Sequence, residues 1–249
     1  MADMKLDEKK KQTVLEFVET MKGLYGPELV SLSLFGDGVV ESPGQAGHPV
    51  KILAVLSEVG PSQLKKYAEV HGKWLKKGIH APLMITLEMM ESSTDVFPME
   101  FLEMKEAYTL LYGSDVLVGL TIGTENLRRE CEEQVKGKLL HLQQGYIEAG
   151  GEKAALGGLI AASIGPFTEV MRNLLRLAGK AVPAGKDAVV RDFCAATGLD
   201  DAPFKGALWL RREAPKLSLD ELDALFGRYL EQVRALAEKV DKMVDSSIK

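Results

Sequence analysis

The pattern of hydrophobic and polar residues divides the first half of the chain into short strands and two amphipathic helices. Residues 29–35 alternate in polarity, which predicts a half-buried strand, whereas residues 50–57 are almost continuously apolar, as in a central strand. Apolar residues at helical spacing predict helices over 7–24 and 61–77. Runs rich in apolar and β-branched residues predict the full set of strands: 29–35, 50–57, 82–89, 99–105 and 108–113.

The second half of the chain contains helical periodicity and no convincing strand. Ser218 and Glu221 form a capping box at the start of the last segment. The predicted helices are 125–148, 153–179, 186–197, 203–213 and 218–246. The change from mixed strands and helices to helices alone falls within residues 113–123. We therefore predict an α+β protein: a small mixed-sheet domain over residues 1–120, followed by an all-α helical bundle over 121–249.

Composition narrows the class of protein without indicating an activity. The chain has 249 residues, 46% of them hydrophobic, and a formal net charge of −5, which excludes general disorder and argues against coating nucleic acid. Its four histidines and two cysteines show no metal-ligand spacing. The charged N-terminus has no secretion-signal pattern, and the most apolar stretch, 154–164, is shorter than the ~20 residues that span a bilayer. We therefore expect a cytoplasmic protein without membrane segments.

Two surface patterns concern possible partners. A basic patch surrounds Trp209 and favours a solvated helix face over a nucleic-acid site; its cations are Lys205, Arg211, Arg212 and Lys216. The small residues within 154–167 allow close approach of another backbone. They predict packing inside the bundle, with a homodimer seam as the alternative.

The most informative motif joins the first two strands. The strand 29–35 ends at Gly36-Asp37-Gly38, a loop follows, and a buried strand returns at Val50. This arrangement resembles the core of the nucleotidyltransferase superfamily, the fold of DNA polymerase β and kanamycin nucleotidyltransferase. In that family the first strand ends in Gly-Ser or Gly-Gly, and the next strand carries an Asp-x-Asp pair. Two acids at i and i+2 point to one side of a strand and together hold Mg²⁺ ions for a nucleoside triphosphate.

The resemblance extends through residues 82–117. Bacterial nucleotidyltransferase-like proteins have a Phe-Pro-x-Glu-Phe strand followed by a Leu-Tyr-Gly-x-Asp turn, and residues 97–101 and 111–115 match both motifs. Residues 127–147 resemble the first helix of the attached helical domain. By position, the resemblance makes Glu100 the third carboxylate of the site.

The metal-binding acid pair of that family is missing from this chain. No Asp or Glu occurs between Glu41 and Glu58, and Pro49 and Lys51 occupy the two acid positions in the register that we favour. At an effective dielectric of ~20, two unit positive charges ~4 Å apart repel by about 4 kcal/mol, and a divalent ion doubles this. Lys51 is therefore incompatible with a Mg²⁺ pair, and the sequence predicts a catalytically inactive member of the fold.

Three interpretations of this degenerate site stay open. The first is a ligand-binding or regulatory module, without a cofactor, in which Gly36, Asp37 and Gly38 offer backbone N–H groups and Lys51 meets a nucleotide or phosphorylated small molecule. The second is an active enzyme that holds Mg²⁺ with unconventional acids: Asp37, Glu41, Glu58, Glu88 or Glu100. The third is a structural or interaction protein with an empty cleft, in which Lys51 and Glu100 are solvated strand residues.

Overall fold

The computed structural model describes residues 6–36 and 50–246, with side chains described up to residue 242. It separates into two compact units, Met1–Gly123 and Thr124–Lys249. The first unit has a mixed four-stranded sheet with helices, and the second unit is helical. The predicted α+β fold class is confirmed.

The first unit is built on four strands in the spatial order β3-β2-β1-β4. β1 is antiparallel to both of its neighbours, and β2 is parallel to β3. The strand bounds are β1 Leu29–Phe35, β2 Lys51–Leu56, β3 Leu83–Thr86 and β4 Tyr108–Gly113.

Two layers of helices cover the sheet of the first unit. One face packs against α1 (Glu8–Tyr25) and α2 (Pro61–Lys76) through a core that includes Phe17, Ile52 and Trp74. The other face packs against α3 (Leu87–Ser92) and α4 (Pro98–Glu106) through Leu53, Val55, Met90, Phe101 and Met104. The alternating side chains of β2 therefore divide between two separate cores, as expected of a central strand.

Two predictions for residues 82–105 are wrong in part or whole. The strand predicted over 82–89 ends at Thr86, because the Thr86 hydroxyl accepts a hydrogen bond from the Met89 amide at 3.1 Å and caps α3. The strand predicted over 99–105 is the helix α4. Pro98 fits its first turn, and Phe101 and Met104, three residues apart, lie on its buried face.

The second unit consists of five helices among its described residues. They are α5 Thr124–Ala149, α6 Lys153–Leu177, α7 Lys186–Thr197, α8 Ala202–Glu213 and α9 Leu219–Ser246. The capping box predicted at the start of α9 is confirmed: the Ser218 hydroxyl accepts from the Glu221 amide at 3.2 Å, and the Glu221 carboxylate accepts from the Ser218 amide at 2.7 Å.

Helix α6 is the central helix of this bundle and packs against α5, α7, α8 and α9. Its 25 residues are long and apolar enough to cross a membrane by length and composition, a test that the 11-residue stretch 154–164 alone does not meet. The core helix of a soluble protein passes the same test, and Ile160, Ile164 and Leu174 are fully buried in the bundle. Among the small residues of α6, Gly157 faces Leu222 of α9, so this part of the stripe packs inside the unit. A homodimer seam stays a prediction.

Candidate ligand site

The end of β1 and the start of β2 bring Gly36 and Lys51 together. Phe35 is the cross-strand partner of Lys51, and Gly36 is the next residue of the chain. Gly36 therefore lies beside Lys51. Gly36 has a φ of +75°, and a Cβ placed on it would lie 3.6 Å from Cδ and 3.9 Å from Nζ of Lys51. Lys51 is exposed. The ammonium group of Lys51 therefore lies over the backbone at the end of β1.

The backbone amide of Gly36 is already engaged. Its N–H donates a hydrogen bond to the carbonyl oxygen of Ala107, 3.0 Å away, just before β4. The expectation that Gly36 offers this N–H group to an anion is therefore wrong, because the bond continues the antiparallel pairing of β1 with β4 beyond Phe35. Asp37, Gly38, Glu41 and Pro49 lie outside the described residues.

Glu103, and not Glu100, is the acid that α4 places beside this site. Oε1 of Glu103 lies 4.0 Å from the same Cβ position on Gly36. Glu100 lies in the first turn of α4 with an exposed side chain, so its predicted placement on a strand is wrong. The sequence contained a signal for Glu103: reading 98–106 as a helix puts Glu103 one turn after Glu100, on the side away from Phe101.

Two aromatic side chains share a face of the sheet with Lys51. Phe35 pairs with Lys51 of β2 on one side and with Tyr108 of β4 on the other, so the three form a row across three strands. Both rings are half-buried. The Tyr108 hydroxyl donates to Asp115, at 2.8 Å to Oδ1 and 2.9 Å to Oδ2. Burial and this carboxylate raise the pKa of Tyr108 to about 12, so its hydroxyl is a neutral donor at physiological pH.

Carboxylates are absent from the described sheet. None of β1, β2, β3 and β4 contains an Asp or Glu. Glu58 follows the C-terminal end of β2, and Glu88 follows the C-terminal end of the parallel strand β3, whereas Lys51 begins β2. These two candidate acids therefore lie at the opposite end of the sheet from Lys51. Within residues 6–36 and 50–242, no group of three or more His, Cys, Asp or Glu side chains is placed to hold a metal ion.

Sequence comparisons give no assignment for this chain. No model of a known protein family matches it, and no curated protein sequence matches it significantly.

A comparison of structures finds the same architecture in a solved protein. The chain is similar to the crystal structure of the spectinomycin adenyltransferase AAD(9) from Enterococcus faecialis with ATP and spectinomycin. The TM-score is 0.55 at 13% sequence identity, and the match covers 90% of this chain and 99% of the other. At this identity the likeness concerns the fold alone. The chain therefore has a nucleotidyltransferase-like fold, as the motifs predict.

Proposed function

We propose that this protein is a ligand-binding or regulatory module that uses a nucleotidyltransferase-like fold without metal-dependent nucleotidyl transfer. The observation that carries the proposal is Lys51, whose ammonium group lies over Gly36 at the start of β2. In the resembled family this strand provides the acid pair. A cation at this position repels the divalent ions that such an acid pair attracts.

The charge of the described sheet supports the loss of transfer chemistry. Two-metal catalysis needs several carboxylates that converge on the ions. The four strands supply none, and Glu103 of α4 is the carboxylate near Gly36. One carboxylate is a poor divalent-cation site, because such an ion needs several oxygen ligands.

The row of Phe35, Lys51 and Tyr108 favours a nucleotide as the ligand. Half-buried aromatic rings offer a stacking surface for a base, an interaction worth about 1–3 kcal/mol per base. Lys51 supplies a positive charge for a phosphate group. The structural neighbour was crystallised with ATP, which agrees with this ligand class.

Thermal-shift measurements test the proposal with nucleoside mono-, di- and triphosphates, each in excess EDTA and in Mg²⁺. We expect a nucleotide to stabilise the protein in EDTA, since a ligand at ~100 times its Kd adds about 2.7 kcal/mol. Lys51→Met should reduce this shift by the part that comes from the sheet unit, because it removes the charge and keeps the side-chain length. Lys65→Met, which removes an exposed cation from α2, should leave it unchanged.

The other two interpretations give different results in the same experiment. Stabilisation that requires Mg²⁺ and survives Lys51→Met indicates an active enzyme with unconventional carboxylates, and contradicts the proposal. No shift with any nucleotide indicates a structural or interaction protein and also contradicts it.

A further inference from the structure

Two cations of the helical unit converge on one glycine. Lys186 is the first residue of α7, and Arg211 lies in the last turn of α8. A Cβ placed on Gly165 of α6 would overlap Nη1 of Arg211 and lie 3.4 Å from its Cζ and 3.6 Å from Nζ of Lys186. Because glycine has no side chain, Gly165 leaves space that the two positive groups approach.

Neither of these cations has an ion-pair partner within the described part of the chain. The neighbouring acids belong to other cations: Asp187 pairs with Arg212, and Glu169 accepts from Nε of Arg172 at 3.1 Å. The N-terminus of α7 adds partial positive charge, because Gly185 provides no side-chain cap. Two positive groups that both lie near one point repel each other, so the local arrangement favours an anion between them.

We propose that Lys186 and Arg211 form an anion site for a phosphate group in the helical unit. Arg211 supplies the planar fork that matches phosphate oxygens, and Lys186 supplies a point charge. The site goes beyond the proposed function, because it uses neither Lys51 nor any other residue of the sheet.

Calorimetric titration of the full chain tests this site separately from the first one. The Lys51→Met protein is titrated with inorganic phosphate, pyrophosphate and ATP, all in EDTA. We expect binding of at least one of these, weakened about ten-fold by Arg211→Gln and by Lys186→Gln, since a charge-assisted hydrogen bond is lost in each. Tighter binding of ATP than of pyrophosphate assigns the phosphate to a nucleotide, and equal binding assigns it to a free anion.

Gly165→Ala separates a binding role from a structural one. The added methyl group displaces the guanidinium of Arg211, so anion binding should weaken about ten-fold. The melting temperature should hold or rise, because alanine is the better helix former. Gly158→Ala on the same helix meets nothing within 4 Å and should bind as the parent does. Lys205→Gln, which removes a cation paired with Asp201, is the matched charge control on α8.

Two outcomes overturn the proposal. The first is the absence of binding of phosphate, pyrophosphate and ATP to the Lys51→Met chain. The second is binding that Arg211→Gln and Gly165→Ala leave undiminished.

Discussion

Gly113→Ala should destabilise the sheet unit by about 4 kcal/mol. Gly113 ends β4 with a φ of +79°, and a Cβ there would overlap the carbonyl oxygen of Val30 and lie 3.2 Å from Cα of Ser31. Both contacts are backbone atoms of β1, which is held between β2 and β4 and has no room to retreat. Alanine therefore meets an unfavourable φ and a fixed steric clash at once.

Gly78→Ala is the matched control for this substitution. Gly78 has a φ of +81°, yet a Cβ there meets nothing within 4 Å. The control should therefore lose only the conformational contribution, about 1 kcal/mol. Denaturant unfolding followed by Trp74 fluorescence, in a Trp209→Phe background, reports on the sheet unit because Trp74 is fully buried in it. Equal losses for the two variants would contradict the close approach of β4 to Val30.

Tyr229→Ala should destabilise the helical unit by about 4 kcal/mol. Tyr229 of α9 is fully buried, and its ring packs edge-on against Phe167 of α6 and Phe204 of α8, with centroid distances of 6.1 and 5.7 Å. Truncation leaves a cavity where three helices meet, and helices of a packed bundle close such a cavity only in part.

Tyr229→Phe separates the ring from the hydroxyl. The Tyr229 hydroxyl lies 3.1 Å from Oγ of Ser163, which also donates to the Ile160 carbonyl at 2.9 Å and so keeps a partner in the variant. The loss should be about 1 kcal/mol, as for a single neutral hydrogen bond. Hydrogen exchange read on peptides from 124–249 measures both variants. A Phe variant as unstable as the Ala variant would show that the hydroxyl, and not the packing of the ring, holds these helices together.

The helical half of the molecule was accessible from sequence because its signals are local. The last helix is defined by Ser218 and Glu221, two residues that cap each other within one turn. The sheet half depends on contacts between distant residues. Residues 99–105 contain enough apolar residues to read as a strand, and only packing of Phe101 and Met104 into one core decides for a helix. Local composition alone did not distinguish a helix from a strand in this segment.

In the candidate site, too, local signals were predicted and contacts between distant residues were missed. The sequence assigned Gly36 and Lys51 to one candidate site, because they lie at the two ends of the loop that joins the first two strands. The contribution of Glu103 was missed because it depends on α4, whose type was misassigned. The hydrogen bond from Gly36 to Ala107 was missed for another reason: it depends on β1 pairing with β4, a strand that lies some 70 residues later in the chain.

The stretch of sequence without acidic residues includes a complete strand of the sheet. It spans residues 42–57 and contains all of β2, the central strand that the resembled family uses to hold its metal ions. In this chain the strand begins with Lys51, whose cross-strand neighbour is the aromatic residue Phe35. The proposed site therefore attracts the phosphate of a nucleotide directly, with no metal ion between Lys51 and the phosphate.

Calorimetric titration of ATP into the wild-type chain, in excess EDTA and then in Mg²⁺, tests this claim most directly. The account predicts binding in EDTA that is at least as tight as in Mg²⁺, with no release of pyrophosphate under either condition. Substituting Lys51→Met should remove the component of binding that belongs to the sheet unit. Binding that appears only with Mg²⁺, or pyrophosphate released from ATP, would contradict the account.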